Sequence, residues 1–90
     1  MQEVVLRQLV RIAGFEEMTI WQNRNNAWHL SVRVTHRPHV LYLSTRREPR
    51  SPWAFTRLEA ALAAGQRIRA TRQVTLVLRS ARDAPSVRAT

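Results

Sequence analysis

The chain predicts a two-layer α+β domain in the order α-β-β-β-α-β, with a three- or four-stranded antiparallel sheet packed on two helices. Three observations lead there. Residues 2–13 repeat their apolar side chains with a helical period, and residues 27–35 alternate them with a period of two. Residues 56–65 carry start and stop signals for a second helix. With 90 residues and 44% hydrophobic content, the chain makes one domain with a small core. That domain is assigned to residues 1–79; the composition of 80–90 predicts a disordered basic tail.

In the first segment, Val5, Leu9, Ile12 and Ala13 share one helix face, which Leu6 and Val10 widen. Glu3 near the start and Arg7 and Arg11 later suit the helix dipole, and Glu3–Arg7 is a correctly ordered i, i+4 pair. Gly14 is the natural stop, with Phe15 folding back against the last turn. A strand then spans 17–23, with Met18 and Ile20 alternating against Thr19 and Trp21. The Asn23-Arg24-Asn25-Asn26 turn follows, because Asn tolerates positive φ.

In strand 27–35, Trp28, Leu30, Val32 and Val34 point to the core, while His29, Ser31, Arg33 and Thr35 point to a solvated face. Pro38 interrupts the run and 40–45 is a third strand. The short connections make these three strands an antiparallel meander. The loop 46–52 carries three arginines and two prolines. Thr56 and Glu59 then read as a capping box, with Phe55 as a staple against Ala60; Pro52 after Ser51 is a less favoured start. Leu58, Ala61 and Leu62 form the buried stripe of this helix and Gly65 its stop, after which Arg67-Ile68-Arg69 is extended with Ile68 inward. A last strand, 73–79, reads as buried on both faces through Val74, Leu76 and Leu78, beside the first or the third strand.

The charge is the strongest functional signal. All 15 basic residues are Arg, against six acids, for a net charge of +9. Such a field attracts polyanions, and the guanidinium fork matches phosphate and carboxylate. The absence of Lys fits a GC-rich bacterial genome, but codon usage does not account for the excess over acids. With no Cys there is no disulfide, zinc finger or thiol nucleophile. No apolar run has membrane-spanning length and no signal peptide is recognisable, so the cytoplasm is the expected location. His29, His36 and His39 lack acidic or thiolate neighbours and sit among arginines, which opposes a metal. No nucleophile stands beside a His–acid pair and no Gly-rich phosphate loop exists. The expectation is a protein without enzymatic activity, metal or cofactor.

Nucleic acid, DNA before RNA, is the partner the charge favours. Arg33, Arg37, Arg46, Arg47, Arg50 and His29 are the candidate contacts, with Trp21 a stacking residue if it shares their face. Arg67, Arg69 and Arg72 form a further basic patch. The helix–meander–helix order is similar to that of double-stranded-RNA-binding domains, although the second helix lacks their Lys cluster. The competing reading is an interaction module, a homodimer or a binder of an acidic protein, in which Trp53 and Trp21 are interface anchors.

Arg47-Glu48-Pro49-Arg50, the run Phe55-Thr56-Arg57-Leu58-Glu59-Ala60-Ala61, Gly65 and the closing Val74–Leu78 alternation resemble the small ParC-type partition-associated proteins of bacterial plasmids and integrative elements. The Ala13-Gly14-Phe15 end of the first helix fits as well. The stretch between Gly65 and Val74 is longer than that pattern. The resemblance implies an accessory role in maintaining or moving a mobile element, without an enzyme activity and without catalytic residues.

Overall fold

A computed structural model describes residues 1–79; the predicted tail lies outside the described residues. The first helix, α1 (Glu3–Ala13), forms where the period predicts it, but with a different edge inward. Leu6 and Val10 are buried, and Leu9 and Ala13 pack against the core. Val5 is exposed and Ile12 is 83% exposed. Two apolar rows, Val5-Leu9-Ile12 and Leu6-Val10-Ala13, run side by side, and the helical period cannot choose between them. Gly14 ends the helix at φ +103°, and its N–H donates to Val10 O at 2.9 Å. A Cβ there would lie 2.6 Å from Thr35 Oγ1, so both conformation and space call for glycine.

Strands β1 (Phe15–Gln22) and β2 (Trp28–Val34) pair antiparallel, with Met18 opposite Val32 and Ile20 opposite Leu30. These four side chains are fully or almost fully buried. A bulge between Phe15 and Glu17 lets Phe15 face the core while Glu17 faces away. In the connecting turn Asn26 has φ +65°, as Asn there predicts. The third strand is shorter than 40–45: β3 (Leu41–Tyr42) pairs with Val32 and Ser31. The chain continues beside it, since Leu43 N–H donates to Leu30 O and Ser44 N–H to Met1 O.

The second helix, α2 (Leu58–Ile68), departs from the capping-box reading. Arg57 is the N-cap, without a side-chain cap bond. Phe55 makes no staple with Ala60, which is exposed; it is buried and forms an antiparallel bridge with Trp28. That bridge fixes the backbone just before the helix and displaces its start past Thr56. Nor is Gly65 the stop. The helix runs on to Ile68, and Gly65 is buried within it, where a Cβ would lie 2.6 Å from Met18 Sδ. Ile68 is indeed buried, but as a helical residue rather than within an extended stretch.

The last strand, β4 (Thr75–Val77), lies beside β1 in the sheet order β3-β2-β1-β4 and runs parallel to it. The sheet is therefore mixed, which corrects the antiparallel expectation while the α+β class stands. A helix between two strands returns the chain to its earlier direction, so β4 runs as β3 does and hence as β1 does. The burial expected at Leu76 and Leu78 is also corrected: they are 45% and 39% exposed. At the sheet edge β4 has one neighbour, and α2 packs over β1 and β2 instead. No helix among the described residues is long and apolar enough to cross a membrane.

The helices are joined by a fork: Arg67 donates through Nε and Nη2 to the two Glu3 carboxylate oxygens at 2.9 and 3.0 Å. Glu3 thus takes a partner on the other helix rather than Arg7 alone. These hydrogen bonds hold the Glu3 carboxyl below its ordinary pKa, with the charges of Arg67 and Arg7 adding to the effect. Because the folded pKa is depressed, the stabilisation is present above the ordinary carboxylate range and is lost as pH falls through the lowered value. Arg67 is 51% exposed, so solvent screens the pair. Glu3→Gln should cost less than about 1 kcal/mol at neutral pH and nothing at pH 2, read by urea denaturation. Gly65→Val should cost more, about 1–3 kcal/mol, because the added side chain meets the buried Met18 and forces the core beneath the helix to repack; thermal melting of the two variants gives the ranking.

Candidate nucleic-acid interface

Both helices pack on one face of the sheet. The period-two alternation sends Glu17, Thr19 and Trp21 of β1 to the other face, with His29, Ser31 and Arg33 of β2 opposite them. Tyr42 of β3 joins Ser31 on that side, and Val77 of β4 joins Trp21. Trp21 therefore does share a face with Arg33. Tyr42 is a site residue that the sequence reading misses. Its position between Leu41 and the inward Leu43 is the parity signal that could have placed it.

His29 and Ser31 correct the expectation of a fully solvated face: they are only 7% and 4% exposed. The His29 ring lies 4.3 Å from the Trp21 ring. Its hydrogen bonds identify its tautomer. Trp53 O can only accept, so the Nδ1–H of His29 donates to it at 2.9 Å. Asn23 Oδ1 already accepts from the Asn25 and Ala27 amides, which turns Nδ2 toward His29 Nε2 at 3.0 Å. Both ring nitrogens are consumed within the chain. His29 thus positions Trp21, the β1–β2 turn and the Trp53 segment, and leaves the set of direct contacts.

Trp53 is half-buried. Its N–H donates to Leu43 O at 2.8 Å, and its ring stacks on Phe55 at 4.6 Å. The candidate anchor is thereby built into the loop that leads to α2. Trp21 is also half-buried and meets Tyr42 edge to face at 6.0 Å and 79°.

Arg33 is half-buried on the open face, and Arg37 is exposed in the turn after β2. Arg46, Arg47 and Arg50 are exposed in the loop after β3, which is turned by a bond from Glu48 N–H to Thr45 Oγ1. Arg50 borders a depression at the β3 edge that it shares with Met1, Val40, Leu41 and Tyr42. These five arginines lie in three places: Arg33 on β2, where it also borders a depression with Glu16, Glu17, Thr71 and Thr75, Arg37 in the turn after β2, and Arg46, Arg47 and Arg50 in the loop after β3. Among the described residues the one ion pair is Arg67–Glu3; Glu17 stands opposite Arg33 in the β1–β2 register, and Glu48 lies in the loop between Arg47 and Arg50.

The arginines are not confined to these places. Arg7, Arg11, Arg67 and Arg69 surround a groove between the helix C-terminal ends, where Arg69 lies 5.5 Å above the Phe15 ring. His36 and His39 are exposed in the β2–β3 connection, and no group of three His, Cys, Asp or Glu side chains converges among the described residues.

Removing the His29 ring would orphan a buried amide and a carbonyl. His29→Ala should lower stability by about 1–3 kcal/mol in urea denaturation. The salt dependence of any nucleic-acid binding should match the wild type, since no phosphate contact is lost. Compared with protein-family models, curated proteins and solved structures, the chain has no match.

Proposed function

We propose that this is a small non-enzymatic nucleic-acid-binding protein that contacts phosphates through Arg33, Arg37, Arg46, Arg47 and Arg50, with weak sequence specificity. The observation that supports the reading is the net charge of +9, with Arg37, Arg46, Arg47 and Arg50 exposed and none of the five in an ion pair among the described residues. Exposed guanidinium groups on a +9 chain are an electrostatic footprint for a polyanion. Weak specificity follows because phosphate contacts carry no base information. The resemblance to partition-associated proteins supplies the setting we propose, accessory to a bacterial mobile element and in the cytoplasm.

A second reading has its own observation. Leu76, Val77 and Leu78 at the β4 edge are 45%, 51% and 39% exposed, and no described strand pairs with the outer side of β4. An apolar open edge suits strand addition by a protein partner or a second copy.

Titration with DNA and RNA across salt separates the two. Five phosphate contacts predict a slope of log affinity on log salt of about −4.5 for duplex DNA and about −3.5 for a single strand. Arg46→Ala with Arg47→Ala should flatten the slope by about two units and leave the melting temperature unchanged. No binding at low salt, or an unchanged slope in the double variant, would favour the interaction module.

A further inference from the structure

We infer that the open sheet face is a stacking platform for an unpaired nucleic-acid strand, with Trp21 and Tyr42 taking the faces of bases and Arg24, Arg33 and Arg50 following the phosphates. The inference rests on the nucleic-acid reading above and narrows it to unpaired strands.

The first support is continuity. A central depression of about 430 Å³ has Trp21 and Tyr42 on its rim and Arg33 beside them. At one end it shares Trp21 and Val77 with a second depression bordered by Arg24. At the other end it shares Val40 and Tyr42 with a depression at the β3 edge, bordered by Arg50 and by Met1 and Leu41 from the core side. Three shallow depressions therefore adjoin in series from the β1–β2 turn to the β3 edge, with Arg24 and Arg50 at the outer two and Arg33, opposite Glu17, bordering the central one. A cationic groove interleaved with aromatic rings is the arrangement that holds single strands without reading their sequence.

The second support is the relief of the face. Thr19 and Ser31 are opposite each other in the register and form a low floor. The Trp21 ring is backed by His29 at 4.3 Å, which the Asn23 and Trp53 hydrogen bonds hold in place. A ring held this way loses little freedom when a base stacks on it. The Trp21 and Tyr42 planes stand at 79°, so bases on the two rings must be turned against one another. An unpaired strand has the backbone freedom to do this, whereas a duplex keeps its bases parallel and their faces occupied.

The third support is the charge along these depressions. Glu17 is the carboxylate bordering the central depression, and its Oε2 accepts from Thr75 Oγ1 at 3.0 Å. It stands opposite Arg33 in the register, four residues along β1 from Trp21, so a strand running from Arg24 by way of Trp21 and Tyr42 to Arg50 keeps to the other end of the depression and meets the carboxylate only where a phosphate reaches Arg33.

The test compares an unpaired oligonucleotide of about 12 residues, its duplex and an abasic strand of equal length, by fluorescence titration at fixed salt. Wild-type protein should bind the unpaired strand more tightly than the duplex, and the abasic strand should lose most of that preference. Tyr42 is 41% exposed, so Tyr42→Ala should fold normally. It should weaken single-strand binding about five- to hundredfold with an unchanged salt slope, the range expected for loss of one stacked base. Trp21→Phe, which keeps an aromatic face against His29, should retain binding within a few-fold, while a folded Trp21→Ala should not.

Equal affinity for the abasic strand, or no effect of Tyr42→Ala while the arginine-dependent slope persists, overturns the platform and leaves the broader reading intact. No binding to any of the three at low salt removes both. A sedimentation-detected dimer that Tyr42→Ala dissociates would assign this face to a second copy instead.

Discussion

The approach of α2 to the sheet is the contact on which the remaining structure depends. Ala61, Ala64 and Gly65 present almost no side chain where the helix meets β1 and β2, and Met18 and Leu30 fill the space directly beneath Gly65. A helix seated this closely and extended to Ile68 can place Arg67 within bidentate reach of Glu3 on α1. It also returns the chain to the far side of β1, which makes β4 a parallel edge strand. Both helices are then committed to one side, and nothing described covers the other.

That uncovered side is held together by polar and aromatic contacts rather than by a second apolar layer. His29 substitutes for missing cover: its ring lies against Trp21, and its two nitrogens tie the Asn23 turn to the Trp53 backbone. Fixed hydrogen-bond partners on both nitrogens give the face a defined shape at low apolar content. The same face receives Arg33, and Arg50 borders the adjoining depression at the β3 edge. Aromatic rings held beside a cation that makes no ion pair distinguish it from the groove between the helices, where Arg67 is paired and Arg69 lies over Phe15.

Much of the architecture is legible in the amino-acid sequence. The alternation Trp28-Leu30-Val32-Val34 sets which residues of β2 meet the helices, and the Asn-rich run places the turn. Capping logic is less informative. Thr56 and Glu59 have the right spacing, yet the Trp28–Phe55 bridge holds the preceding backbone and the helix begins after Arg57. Gly65 illustrates the same limit. A glycine near a helix end reads as a stop from local propensity, whereas here a buried neighbour requires the absence of a Cβ. The candidate site is legible in part: the five arginines are visible as residues, Trp21 shares the face of Arg33 only on a condition of parity, and Tyr42 is marked by the same parity, between Leu41 and Leu43.

The sequence by itself determined the element types, the inward set of the central strands, the stop at Gly14 and the excess of positive charge. These rest on local periodicity, backbone conformational preference and composition, none of which needs a distant residue. Tertiary structure alone decided which apolar row of α1 turned inward, that β4 paired parallel with β1, and that His29 was buried. It also decided that Tyr42, Trp21 and Arg33 border one surface. Each depends on contacts between residues far apart in the chain, and those exist only once the helices have taken one side of the sheet and left the other open.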